Sequence, residues 1–418
     1  MRLPPGSPLA VALTFDEAAP RLQAARLAMA AGVAQLEWSP QILATQLSVD
    51  PLLYPPDPGL HAARGRAFEG LHGFLADSLP EGWGYLLMRR RLGKLDVRIE
   101  ELTPLERLAL VGAEGRGALV FEPATAPIDA VESLDLDALA QASAEILRGE
   151  EAGLADTLAG LAGASGGARP KVHVGFDGKG GVSFSHGEAA PGHEAWIVKF
   201  PATNDPVDIG PIEAAYADMA AAAGIALSDH RLIPTKDGPG YFATRRFDRP
   251  SPGRRMHMVS LAGAIEASPS VPSASYDTFL RATHAITRHV EDVAAAFRRM
   301  VFNVLACNRD DHTRQHSYLM SPAGEWRLAP AYDLTYSRGP GGEHYMDVEG
   351  EGRDPTRRHV EALGARHGFS RVAVATVIEE VRAAVSDWPR FAADAGVGVA
   401  STEEITAAHA RVWARFEV

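Results

Sequence analysis

Asn308-Arg309-Asp310-Asp311-His312-Thr313-Arg314-Gln315-His316 is the densest polar cluster in the chain, and it follows directly on an apolar segment, Met300–Cys307. The next residues, Ser317–Met320, read as a strand. A helix that stops at charged residues and turns into a strand sets a short polar loop on rigid supports, which suits a catalytic loop. The competing reading is a solvated connector. Two adjacent aspartates, two histidines and two arginines within nine residues weigh against it.

Working outward, the stretch Trp326-Arg327-Leu328-Ala329-Pro330-Ala331-Tyr332-Asp333-Leu334 places one acidic residue among apolar neighbours. Desolvating a lone carboxylate is expensive, so Asp333 needs a counter-charge, a metal or a turn to cap. Beside the 308–316 cluster it reads as a Mg²⁺ ligand. Asp310 and Gln315 are five positions apart, the offset between the base and the metal-binding amide in D-x-x-x-x-N loops. Upstream, Lys199 lies in the apolar run Trp196–Pro201, and Glu213 opens the following helical pattern. A lysine in such a strand either snorkels at an edge or, paired with that glutamate, binds phosphate. The small-residue stretch Gly163–Lys171 (GASGGARPK) would let backbone amides approach phosphates closely. It lacks the G-K-[S/T] ending of a Walker loop, and a flexible linker is its alternative.

Three other features carry less. His312 and His316 are four apart, but Thr313 stands where a zinc-binding H-E-x-x-H motif needs Glu. The run Arg89–Arg91 reads as a solvated helix face. Trp83, Trp196 and Trp326 read as core or interlobe packing.

The 418 residues suggest two or three domains, with 46% hydrophobic and 22% charged residues, ordinary globular values. Lys and Arg number 41 against 53 Asp and Glu, a net charge of −12 that argues against stand-alone nucleic-acid binding. Cys307 is the sole cysteine, so no internal disulfide framework is expected. No apolar run approaches a membrane span, and Leu9–Phe15 reads as a strand rather than a signal peptide, so a cytoplasmic protein is expected.

Strands are expected at Leu9–Phe15, Gly117–Phe121, Lys171–Phe176, Gly181–Ser185, Trp196–Phe200 and Tyr241–Phe247, with a hairpin turn at Asp177-Gly178. Helical spacing marks Leu134–Leu161, Ile212–Gly224, Tyr276–Thr287, Val290–Asn308, Arg357–His367, Ser370–Ser386 and Thr402–Phe416; a further helical pattern follows the Pro80–Gly82 break and runs to Leu92. A boundary falls at 122–130 (EPATAPIDA). The expected domains are therefore a mixed α/β unit over 1–125, a strand-rich lobe over 126–250 and a helical lobe over 251–418.

Seven segments together resemble the HipA family of serine/threonine protein kinases, toxins of type II toxin–antitoxin systems. They are FLADSLPEGWG at 74–84, GRGALVFEP at 115–123, GGARPK at 166–171, WIVKFP at 196–201, RRFDR at 245–249, NRDDHTRQH at 308–316 and LAPAYDL at 328–334. The resemblance implies an α+β fold: a protein-kinase-like, two-lobed core behind a smaller N-terminal domain. It implies Asp310 as the catalytic aspartate with Arg314 beside it, and Asp333 with Gln315 on Mg²⁺. Lys199, supported by Glu213, would contact ATP phosphates; Ser165, Gly166 and Gly167 would cover them; Arg246 and Phe247 would lie near the adenine, and His312 on the nucleotide side. Ser165 would be an autophosphorylation site. The implied partners are a HipB-like helix-turn-helix antitoxin, through which DNA is reached, and a protein substrate in translation such as an aminoacyl-tRNA synthetase. Two positions depart from the family: Gln315 replaces Asn, and Arg245 stands where some members carry an acidic residue. A pseudokinase or nucleotide-binding corepressor, and a small-molecule kinase, remain the alternatives.

Overall fold

The computed structural model describes residues 3–417 apart from 5, 66–67, 126–134, 151–152, 164–165, 180 and 185–188. Ser165, the end of the 181–185 strand and most of the 122–130 boundary therefore lie outside the described residues. The chain divides into two compact units: Met1–Asp205 with Ala243–Val259 and Leu319–Glu325, and Pro206–Phe242 with Ser260–Tyr318 and Trp326–Val418.

The first unit opens with an antiparallel sheet in the order β4-β3-β2-β1-β5, formed by Leu9–Leu13 (β1), Leu22–Ala30 (β2), Val33–Trp38 (β3), Leu60–Ala62 (β4) and Leu119–Glu122 (β5). Its register sets Val11 against Ala25 on one side and Phe121 on the other. Leu9, Leu27, Leu36 and Phe121 are fully buried there. The β2–β3 hairpin turns on Ala31 and Gly32, both at positive φ (51° and 78°), the mirror-image turn that matches strand twist. Glycine is forced at Gly70, where a Cβ would sit 2.4 Å from the Gly32 carbonyl oxygen. The helix Pro104–Val111 starts with a capping box between Thr103 and Glu106 and has proline in its first turn.

A second sheet has the order β7-β6-β8-β10-β9, from Lys171–Phe176 (β6), Val182–Ser183 (β7), Glu194–Lys199 (β8), His230–Ile233 (β9) and Tyr241–Arg245 (β10). Antiparallel pairing sets Val172 opposite Val198, Val174 opposite Trp196 and Lys171 opposite Lys199. A third sheet joins His257–Ser260 (β11), Ser317–Met320 (β12) and Trp326–Leu328 (β13) in that order.

The second unit is mainly helical: Ile209–Ala222, Tyr276–Thr287, Val290–Leu305, Arg357–Arg366, Arg371–Ser386, Trp388–Ala395 and Val399–Phe416. Ser275 and Ser370 cap two of these by accepting the N–H of Thr278 and Ala373. Phe279, Phe297, Met300, Phe302, Ile378, Trp388 and Phe416 form its buried interior.

Some expectations shift. The 134–161 pattern resolves into two helices, Leu136–Leu147 and Ala155–Ala162, with Gly149 at φ 86° between them. The turn after Phe176 is longer than two residues, and Gly178 does not take a left-handed conformation. Instead the Asp177 carboxylate accepts the N–H groups of Lys179 and Gly181, at 2.9 and 2.5 Å, an Asx-type turn. The Arg89–Arg91 run is not simply solvated: Arg90 donates to the carbonyls of Ile146 and Glu150, at 2.9 and 2.8 Å, where the Leu136–Leu147 helix ends.

Candidate active site

In the second unit the helix Val290–Leu305 ends at Ala306, and Cys307 turns the chain with φ 52°. The 308–316 loop follows. Its Asp311 is fully buried and its Asp310 side chain about half exposed, at 48%. Asp311 accepts from the Tyr276 hydroxyl (2.5 Å), lies 2.8 Å from His344 Nδ1 and accepts the Tyr345 N–H (2.8 Å). Burial alone would raise the Asp311 carboxyl pKa; the His344 charge and these hydrogen bonds hold it below the usual carboxylate value. The network continues inward. Asn303 Nδ2 donates to Tyr276 (2.9 Å), and Asn308 Nδ2 donates to Asn303 Oδ1 (2.9 Å). A buried, interconnected set of this kind fixes backbone position.

Thr313–Gln315 forms one 3₁₀ turn, capped by His312, whose Nδ1 accepts the Arg314 N–H (3.2 Å). His312 Nε2 lies 3.8 Å from Asp310 Oδ1. Arg314 is only 7% exposed, which is not the exposure of a solvated connector. His316 points the other way, its ring buried 4.1 Å from Phe279. The two loop histidines thus do unrelated jobs.

Asp333 meets this loop. Gln315 Nε2 donates to Asp333 Oδ2 at 3.1 Å. The segment that carries Asp333 is tied down on both sides: Ala331 N–H bonds the Ala226 carbonyl (2.8 Å), and Ser337 N–H bonds the Cys307 carbonyl (2.9 Å). Tyr332 adds a third tie, its hydroxyl donating to the Arg314 carbonyl (2.5 Å) and accepting from Ser317 Oγ (2.6 Å). Asp333 itself has φ 57°, a left-handed conformation that aspartate tolerates better than most residues and that surrounding structure must impose. Elsewhere in this unit Glu213 sits 3% exposed in the helix Ile209–Ala222.

In the first unit, Lys199 ends β8, partly buried, directly opposite Lys171 on β6. Lys171 is 6% exposed, and its Nζ donates to the Gly166 carbonyl (2.5 Å). The register thus sets two positive charges side by side on one sheet face. Lys171 escaped the sequence reading of the site because its pairing with Lys199 exists only in the folded register. The Asp311 support network escaped for the same reason: Tyr276 and His344 are far from it in sequence.

Arg246 is committed elsewhere in this unit. Its guanidinium makes a bidentate pair with Asp248 (2.8 and 3.0 Å), and its Nη1 lies 3.2 Å from His173 Nδ1. Burial opposes ionisation of Asp248, but Arg246 and Arg249 override it and hold its pKa far below the usual range. Phe247 is partly buried beside this pair.

The pattern of the HipA-like C-terminal domain matches residues 163–388, and that of the HipA N-terminal domain matches residues 19–122. The chain belongs to the HipA family. Its structure aligns with HipA from Shewanella oneidensis MR-1, solved in a complex of HipA, HipB and operator DNA, over 97% of this chain and 96% of that one. The TM-score is 0.69 at 18% identity, so the likeness carries the fold alone: the α+β class expected from the sequence, in the arrangement of that HipA. A second aligned structure, the Helicobacter pylori proinflammatory kinase CtkA, covers 48% of this chain and 90% of its own at TM-score 0.31 and 14% identity. Among curated proteins, none matches significantly.

HipA-family motifs that are distant in sequence meet in the first unit. Asp248, from RRFDR, accepts the Gly117 N–H (3.2 Å), and Arg249 donates to the Gly117 carbonyl (2.8 Å), joining 245–249 to 115–121. A Cβ on Gly117 would lie 2.4 Å from the Met258 nitrogen, so glycine is required where the 256–258 backbone passes. Among the described residues no helix is long and apolar enough to cross a membrane.

Proposed function

We propose that this HipA-family chain is an ATP- and Mg²⁺-dependent protein kinase that transfers phosphate to serine or threonine. The observation that carries the reading is the 3.1 Å contact between Gln315 and Asp333. It answers the chain's main departure from its family, because the longer amide still reaches the carboxylate. Turning that amide over would present its oxygen instead, and a carboxylate with an amide oxygen is a hard donor set that suits Mg²⁺. This weighs against the pseudokinase alternative.

In the proposed reaction Asp310 orients the acceptor hydroxyl and takes its proton as the oxygen bonds to the γ-phosphorus. The bond from that phosphorus to the bridging oxygen breaks, and ADP leaves. Asp333 and Gln315 would hold Mg²⁺, which neutralises charge on the phosphates when bound. Lys199 binds phosphate oxygens, Lys171 opposite it holds the Gly166 carbonyl, and Gly166 and Gly167 present backbone beside the phosphates. Glu213 supplies a buried carboxylate for the lysine system, and Arg314 adds positive charge near the γ-phosphate. The Arg246 side chain is tied to Asp248, so at the adenine its backbone and Phe247 are the groups assigned. His312 caps the turn that holds Gln315 and faces the nucleotide side of the loop. Ser165 is assigned as the autophosphorylation site.

The partner assigned is a HipB-like helix-turn-helix antitoxin, supported by the HipB–DNA complex of the Shewanella relative. With a net charge of −12, this chain leaves most DNA contact to that partner. The substrate class is a protein of translation, an aminoacyl-tRNA synthetase being the example the family suggests.

The test replaces Gln315 with Asn and with Leu and follows ADP formation against Mg²⁺ concentration. Gln315→Asn should keep activity, and Gln315→Leu should need several-fold more Mg²⁺. Identical Mg²⁺ dependence in all three chains would remove Gln315 from the metal site.

A further inference from the structure

We propose that the Glu81–Trp83 turn of the N-terminal domain is a positioning clamp for the Gly-rich loop, and that it sets how tightly ATP is held. The proposal rests on the kinase reading for its effect on ATP, but the clamp itself is a matter of backbone geometry within the first unit. Trp83 N–H, in the first turn of the helix Gly82–Gly93, donates to the Gly167 carbonyl at 3.1 Å. First-turn N–H groups have no partner within their own helix, so this one is spent on the loop.

The approach leaves no room for a side chain. A Cβ on Gly82 would lie 2.4 Å from the Gly167 oxygen, 2.7 Å from its carbonyl carbon and 2.9 Å from Ala168 Cα, and Gly82 already has φ +48°. Those atoms are backbone and cannot swing aside. The Trp83 side chain, 1% exposed, is buried, which fixes the turn in place. Arg116 closes on the neighbouring residue: a Cβ on Gly166 would sit 2.2 Å from Arg116 Nη2. Arg116 N–H is itself bonded to Ser78 Oγ (3.1 Å). From β6, Lys171 Nζ takes the Gly166 carbonyl (2.5 Å).

Two consecutive loop carbonyls, Gly166 and Gly167, are therefore each aimed at a fixed donor. In a trans peptide the next N–H points opposite to the carbonyl, so the Gly167 and Ala168 amides are directed away from these anchors. Amides oriented in this way are what an anionic phosphate needs. The N-terminal domain thus pre-orders the loop rather than merely packing near it.

The experiment compares the full chain with Gly82→Ala and Arg116→Ala, first without nucleotide. Hydrogen exchange is followed in the peptide covering 163–171, with the β1 peptide 9–13 as control. Loop exchange should accelerate about fivefold in Gly82→Ala while the control stays protected. The KM for ATP should then rise several-fold with kcat unchanged. Unchanged loop exchange in folded Gly82→Ala overturns the clamp, as does equal acceleration of loop and control. Faster loop exchange with unchanged KM overturns its role in holding ATP. If Gly82→Ala fails to fold, Arg116→Ala is read by the same criteria. Failure of the wild-type chain to use ATP would sink the kinase reading, and the nucleotide-free exchange result would still decide the clamp.

Discussion

Asp310 and Asp311 are the same residue in neighbouring positions with opposite environments. Asp311 is sealed in a cage of Tyr276, His344 and the Tyr345 amide, whereas Asp310 leaves its carboxylate about half open to solvent. Replacing Asp311 by Ala strands those donors in the interior and should cost about 3 kcal/mol or more, measured by denaturant unfolding. Asp310→Ala should unfold within about 0.5 kcal/mol of wild type. Asp311 also fixes a sign with pH. Its folded pKa lies below the unfolded value, so its contribution is present above the ordinary carboxylate range and is lost as pH falls through the lower, folded value. Acid unfolding of Asp311→Asn should accordingly be less steep in that range.

At the scale of elements, the C-terminal helix reaches back to the end of the helix that launches the 308–316 loop. Tyr216 donates to the Ala306 carbonyl (2.7 Å), one residue before the strained Cys307, and lies 2.9 Å from His409 Nε2. Tyr216→Phe removes both contacts from a buried site and leaves His409 Nε2 and the Ala306 carbonyl only each other, at 3.3 Å, so it should lower stability by about 1 kcal/mol. The helices of this unit were largely legible in the sequence. Tyr276–Thr287 has the bounds its period-3.6 pattern gives, and most others differ by a few residues at their ends. Trp388–Ala395 was hidden because Pro389 and Gly396 make a short stretch look like a connector. The β2–β3 hairpin was hidden because Ala31-Gly32 replaces the usual Asn-Gly signal at its turn. At the candidate site, Asp310, Gln315 and Asp333 stand out in the sequence by residue type and spacing, and the fold brings Gln315 and Asp333 together. Lys171, Tyr276 and His344 do not stand out, because their partners are set by strand register and helix packing rather than by neighbours in the chain.

Across the whole molecule, burial keeps several histidines uncharged. His72, His257 and His409 are each pushed down to about 4, mainly by desolvation, and His173 and His316 fall well below their ordinary value. A lowered histidine pKa means that the unfolded chain binds more protons between pH 4 and 6.5, so folding stability rises with pH across that window. Each such group contributes a slope of about 1.4 kcal/mol per pH unit. The melting temperature should therefore drop steeply from pH 6.5 toward 4 and level off above 7. His409→Gln should make that drop shallower.

Phosphoryl transfer through Asp310 is tested most directly by intact mass after incubation with ATP and Mg²⁺, wild type beside Asp310→Asn. The wild-type chain should gain phosphate, mapped to Ser165, and the variant should gain none, a loss of about 100-fold or more in rate. A wild-type mass that stays unchanged, or an equal gain in Asp310→Asn, would contradict it.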